Sequence, residues 1–190
     1  MRQVRRDGAR GQALIETAVV IAVILSILMG VYSVGQFASD QNTAGTATRA
    51  GARVASELGN GGYNGSTAPA LCQSGNPKDP CAVDRQIVQN VCQIAATMPF
   101  VTSISEVDIY RVTIPPASGL IAEVDRYTSC AAGATALSAA YTLDLRIQTH
   151  PNETYIGVSL KYTYRSPVPL VPLATTATVS TVTLLSPHFS

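Results

Sequence analysis

Residues 17–39 read TAVVIAVILSILMGVYSVGQFAS and contain no charged side chain. As one helix this stretch is roughly 35 Å long, enough to cross a hydrocarbon core. Its β-branched Val and Ile are tolerated there, because lipid offers the backbone no partner but itself. Arg2, Arg5, Arg6 and Arg10 precede it, opposed only by Asp7. Arginines on that side stay in the cytoplasm, so the C-terminal bulk is expected outside. A cleaved secretory signal has a shorter apolar core, followed by a small-x-small site. The run here is longer, and Gln36-Phe37-Ala38 at its end is no such site.

The whole chain has 190 residues, 46% hydrophobic and only 13% charged. That length allows one globular domain beside the anchor. Once the four leader arginines and Asp7 are set aside, the remainder is slightly acidic. No basic stripe follows the leader, so nucleic acid is not an expected partner.

Glu16 breaks the simple picture of an anchor. It stands at the mouth of the apolar run, directly after Ala13, Leu14 and Ile15. A carboxylate entering a bilayer costs a few kcal/mol unless it is paired. One reading leaves Glu16 hydrated at the cytoplasmic interface. The other cuts the chain between Gly11 and Gln12. Gln12 then carries a free α-amino group, and Glu16 lies one helical turn away. The two can pair within or between chains and so set the register of neighbouring helices.

The stretch RRDGARGQALIETAVVIAVILSILMGVYSVG resembles the N-terminus of TadE-like pseudopilins of tight-adherence (Flp-type) pilus systems. In that family a short basic leader ends in glycine and is removed by a prepilin peptidase. The resemblance implies cleavage after Gly11 and gives the hallmark glutamate at mature position five to Glu16. Thr17 stands where the family often has Tyr or Phe. TATRAGARVASELG resembles the family's arginine-containing helix after the span, and YIGVSLKYTYRSPVPLVPL resembles its late Tyr-Pro strand. The implied partners are other pilin or pseudopilin subunits, the pilus assembly machinery, the peptidase and the membrane, which is crossed once. The implied location is the bacterial inner membrane, the extracellular pilus being a further destination, with a role in cell adhesion.

Beyond the span the helix is expected to continue to Leu58. Ala44, Ala47, Gly51, Val54, Ala55 and Leu58 share one face. Arg53 and Glu57 are spaced for a modest ion pair, and Gly59, Gly61 and Gly62 end the helix. Residues 59–81 are rich in Gly, Asn, Ser and Pro and read as loop. Ala82–Met98 reads as a second helix, with Val83, Ile87, Val91, Ile94, Ala95 and Met98 inward, Asp84 complementing the first turn, and Pro99 as the stop. Ile104–Ile114 alternates as a strand. Thr142–Gln148, with Leu143, Leu145 and Ile147 on one face and Thr142, Asp144, Arg146 and Gln148 on the other, polar face, reads as a hairpin with Ile156–Tyr164, and Thr175–Leu185 as a last strand. The prolines of SPVPLVP exclude a central strand. Residues 119–140 read as a surface excursion tied down by Cys130.

The cysteines are Cys72, Cys81, Cys92 and Cys130, with no CxxC pair. Beyond a membrane span they fit disulfides, and three pairings are open. Cys72–Cys81 with Cys92–Cys130 is the favoured one, buried free thiols the alternative.

No catalytic set stands up. His150 lies in a turn, His188 is near the end, and neither has an orienting carboxylate in view. GxSxG, HExxH, P-loop and EF-hand patterns are missing. No metal and no cofactor is expected, and the protein is not expected to be an enzyme. Asn64-Gly65-Ser66 and Asn152-Glu153-Thr154 match a short glycosylation pattern of no expected consequence.

The expected organisation is thus α+β. It comprises a basic leader (1–11), a long pilin-type helix (12–58, transmembrane over about 17–39), a loop (59–81) and an extracytoplasmic head (82–190) with a second helix and an antiparallel sheet. Two other functions stay open: an unprocessed single-pass envelope protein that binds a wall or periplasmic partner, and an extracytoplasmic enzyme with a cleft near Asp125 or Asp144.

Overall fold

A computed structural model describes residues 4–59, 80–112, 121–128, 130, 137–141, 145–146, 155–168 and 174–184. Helix α1 (Val4–Leu58) is unbroken over 55 residues, or roughly 80 Å. Thr17 and Ser26 donate their hydroxyls to the carbonyls of Ala13 and Ala22, both at 2.8 Å. Each hydroxyl is thereby satisfied inside its own helix and asks nothing of an apolar surrounding. The helix ends at Gly59, whose φ of 51° suits the left-handed cap. Gly59 N–H closes onto Ala55 C=O at 3.0 Å.

Helix α2 (Pro80–Ala95) opens on a proline, where the missing N–H is no loss. Five strands follow: β1 (Val101–Val112), β2 (Ile121–Tyr127), β3 (Ser138–Ala139), β4 (Tyr155–Arg165) and β5 (Ala174–Leu184). They form one sheet in the order β3-β2-β1-β4-β5, and every neighbouring pair is antiparallel. The α+β class and the two-helix layout are as the sequence predicts.

Both helices pack on one face of the sheet. Alternation in β4 sends Ile156, Val158, Leu160, Tyr162 and Tyr164 inward, all fully buried. They meet Ala44, Ala47, Ala52 and Ala55 of α1 and Val83, Ile87 and Val91 of α2. Small residues on α1 let the helices approach. A Cβ at Gly51 would overlap the Val91 side chain. On the outer face the Tyr110 ring lies across Gly157, within the space a Cβ there would need. Gly157→Val is therefore expected to cost about 1–3 kcal/mol through overpacking, read as a lower urea midpoint. An unchanged midpoint would mean that the ring swings aside freely.

Four sequence expectations are corrected. Leu145 lies in a 3₁₀ turn and Arg146 in a bend, so these residues of the expected 142–148 strand are not in one, and β4 pairs instead with β1 and β5. Arg146 is buried rather than on a solvent face. Residues 121–127, expected as a surface excursion, form the strand β2. Asp84 does not serve the helix end; it is buried in the core. The remaining expected loop residues 60–79, together with Cys72, His150, Asp144 and His188, lie outside the described residues.

Candidate functional site

The same helix does two jobs along its length. From Gln12 to Tyr32 its side chains project away from the rest of the chain; Leu14, Ile15 and Val31 are 72%, 69% and 67% exposed. This is the part of α1 long and apolar enough to cross a membrane. The helix continues unbroken across the Gly11–Gln12 bond. Glu16 follows Gln12 by four residues, which stacks the two on one face. Glu16 is exposed, at the lower edge of the apolar band.

Burial begins at Ser33, and the head is fastened to α1 by a ladder of polar contacts. Ser33 Oγ lies 3.2 Å from Ser166 Oγ, and Tyr164 donates its hydroxyl to Ser33 C=O at 3.1 Å. Phe37 meets the Tyr164 ring edge-on, centroids 5.1 Å apart. Higher up, Thr48 Oγ1 is 2.9 Å from Thr181 Oγ1, and Ser56 donates to Leu184 C=O at 2.7 Å. Asp40 is buried at the foot of this joint. Burial pushes its pKa above the usual carboxylate range, against the pull of the Phe100 N–H.

A second constellation lies inside the head. Arg146 donates from Nη1 to Asp84 at 2.6 Å, and from Nη2 to Asp125 at 2.8 Å and Tyr141 C=O at 2.9 Å. Its guanidinium carbon sits 4.6 Å over the Tyr141 ring. Tyr127 donates to Asp84 at 3.1 Å, and Tyr141 N–H to Asp125 at 2.7 Å. All three side chains are essentially without solvent contact. The cluster joins α2 and β2 through Tyr141 and Arg146, with Arg146 bridging two carboxylates. A charged group shut away from solvent and engaged by its neighbours holds a fold together better than it meets a substrate.

Two carboxylates share one cation, and this has a consequence for pH. Burial, then the nearby charge of Asp84, push the Asp125 pKa up to about 7, although Arg146 and the Tyr141 N–H pull it down. An acid that is weaker when folded keeps its proton while the unfolded chain has lost it. Its contribution is complete below the unfolded value near 3.8 and is lost as pH rises to about 7. Asp40 shifts in the same direction. Urea midpoints are therefore expected to fall between pH 4 and pH 7, and Asp125→Asn to flatten that slope. A midpoint rising across this window in the unaltered protein would contradict the assignment.

Cys92 of α2 and Cys130 are joined by a disulfide with Cα atoms 5.7 Å apart. It closes a 38-residue separation and ties the segment after β2 to α2. Cys81 lies in the first turn of α2, and its suggested partner Cys72 lies outside the described residues. No group of three or more metal-ligating side chains occurs among the described residues.

The sequence places Gln12 and Glu16 on the anchor helix and Gly11 at the end of the leader, whereas α1 already runs from Val4 through Gly11; the Asp84–Asp125–Arg146 cluster escapes a reading of the sequence. Asp125 and Tyr127 alternate inward from β2, a pattern that reads as a polar surface run unless their partner is known.

The family described as TadE-like protein matches residues 11–53. That span starts at the glycine ending the basic leader and stops within the part of α1 packed on the head. No curated protein matches the chain, and no solved structure does.

Proposed function

We propose that this chain, TadE-like over residues 11–53, is a minor pilin or pseudopilin that takes part in assembling a tight-adherence pilus. In this reading a prepilin peptidase cuts between Gly11 and Gln12. The arginine leader remains in the cytoplasm, and the head stands outside the inner membrane. The new amine of Gln12 and the carboxylate of Glu16 then neutralise one another between adjacent helices. The exposed apolar band of α1 passes from lipid into the company of other pilin helices. The observation that carries the reading is the family match on a helix whose lower part is wholly exposed while its upper part is core.

The work is assembly rather than catalysis. The buried charged side chains Asp84, Asp125 and Arg146 are spent on one another inside the head. Adhesion by the finished filament is a further part of the proposal.

The deciding measurement is the N-terminal sequence of the protein isolated from its native membrane. A chain beginning at Gln12 supports prepilin processing. A chain beginning at Met1 overturns it and favours an unprocessed envelope protein whose head binds a wall or periplasmic partner.

A further inference from the structure

We infer that the outer edge of β5 is a docking site for an extended, acidic segment of another protein, added as an extra strand antiparallel to β5. The starting point is what this edge lacks. Among the described residues β5 ends the sheet order, and it is 11 residues long. Its sequence ATTATVSTVTL has no charge and no proline. Its ladder with β4 runs from Tyr155↔Leu184 to Arg165↔Ala174 with no shift of register. Charges, prolines, bulges and shortness are the devices that keep an edge from pairing. The opposite edge, β3, has only two residues.

The surroundings of β5 form a groove. Thr48 meets Thr181, and further along both elements Ser56 meets Leu184. α1 and β5 therefore run in the same direction, side by side. Between them lie two depressions of about 670 Å³ and 360 Å³, with Arg49 lining both. Gly45 leaves the wall of the larger one open, since nothing lies within 4 Å of where its Cβ would stand. A strand edge with a helix beside it suits strand addition: the main chain supplies affinity, and the groove reads alternate side chains.

Charge selects the occupant. Arg53 is paired with Glu57 at 2.8 Å. Arg49 is exposed and has no ion pair among the described residues. A carboxylate on the incoming segment would meet it. A second copy is a poor occupant. Two copies anchored by parallel α1 helices present parallel β5 strands and set Arg49 against Arg49. Antiparallel pairing is also the stronger per residue, and this whole sheet uses it.

The test uses the full chain in detergent and labelled peptides of about nine residues, alternating Thr and Val, within the ordinary strand range. One Asp is moved through the positions of one set, and one Lys through those of the other. Asp peptides should bind about tenfold tighter than their Lys counterparts, the scale of one charge-assisted contact. Backbone N-methylation should abolish binding, and Arg49→Glu should reverse the order of the two sets. The proposal fails if no peptide saturates, if N-methylated peptides bind as well, or if Asp and Lys are equivalent. A photo-crosslinker at Thr178 adds a check in the membrane. An adduct of twice the chain's mass would identify a second copy and overturn the proposal. Every one of these readouts is independent of cleavage after Gly11, so the docking site and the pilin reading stand or fall separately.

Discussion

Glu16→Ala is expected to leave the protein in the membrane at normal abundance and to eliminate, or cut severalfold, the pili on the cell. The substitution removes a charge at the edge of an apolar band, so insertion should improve if it changes at all. The loss is in assembly. A free amine on Gln12 that enters a bundle of apolar helices must be neutralised, because an unpaired charge in that setting costs several kcal/mol. Glu16 stands one turn away on the same face, and no other carboxylate lies between Gln12 and Asp40. Glu16→Gln is the sharper variant, since it keeps size and hydrogen bonding and deletes only the charge. Counting filaments by electron microscopy, with membrane fractionation alongside, separates assembly from insertion. Normal piliation in both variants would remove the role given to this carboxylate.

Arg146→Ala is expected to be the most damaging single change in the head, by about 3–5 kcal/mol, the usual cost of breaking a buried ion pair from one side. The substitution leaves Asp84 and Asp125 facing each other with no cation, in a place where water does not reach. It also removes the stacked contact on the Tyr141 ring. With so large a share of an ordinary domain's stability gone, a good part of the chains is expected to unfold at 37 °C. The quantitative test is therefore a cycle at low temperature. Asp84→Asn with Asp125→Asn should recover much of the loss in the Arg146→Ala background, because the stranded charges are then gone. Strict additivity of the substitutions would show that the three groups do not act as one unit.

The anchor was legible because lipid imposes a crude rule: an uncharged run long enough to span leaves few alternatives. The inner face of α1 was legible for a similar reason, since Ala44, Ala47, Gly51 and Ala55 recur at helical spacing and all are buried. β4 was legible because its large apolar residues alternate cleanly. Reading failed where a polar residue faces inward. In β2 the inward positions include Asp125 and Tyr127, and their hydrophobic pattern is that of a surface strand or a loop. Arg146 was assigned to solvent by the same rule. It is buried because Asp84 and Asp125, 62 and 21 residues earlier in the chain, compensate it. No local pattern carries such long-range pairing. Glu16 is the opposite case: its sequence position is informative, while its surroundings within a single chain are solvent-like.

α1 is common to the anchor and the head, and this bears on how the molecule carries mechanical load. A pull on the head along the helix axis reaches the shaft through Ser33, Thr48 and Ser56, whose partners lie on β5 or just beyond β4. Because β5 lies alongside α1 in the same direction, these attachments are loaded together in shear and do not peel apart one after another. Strain is thus shared along the joint. Tension in a filament of such subunits would be felt by the sheet itself.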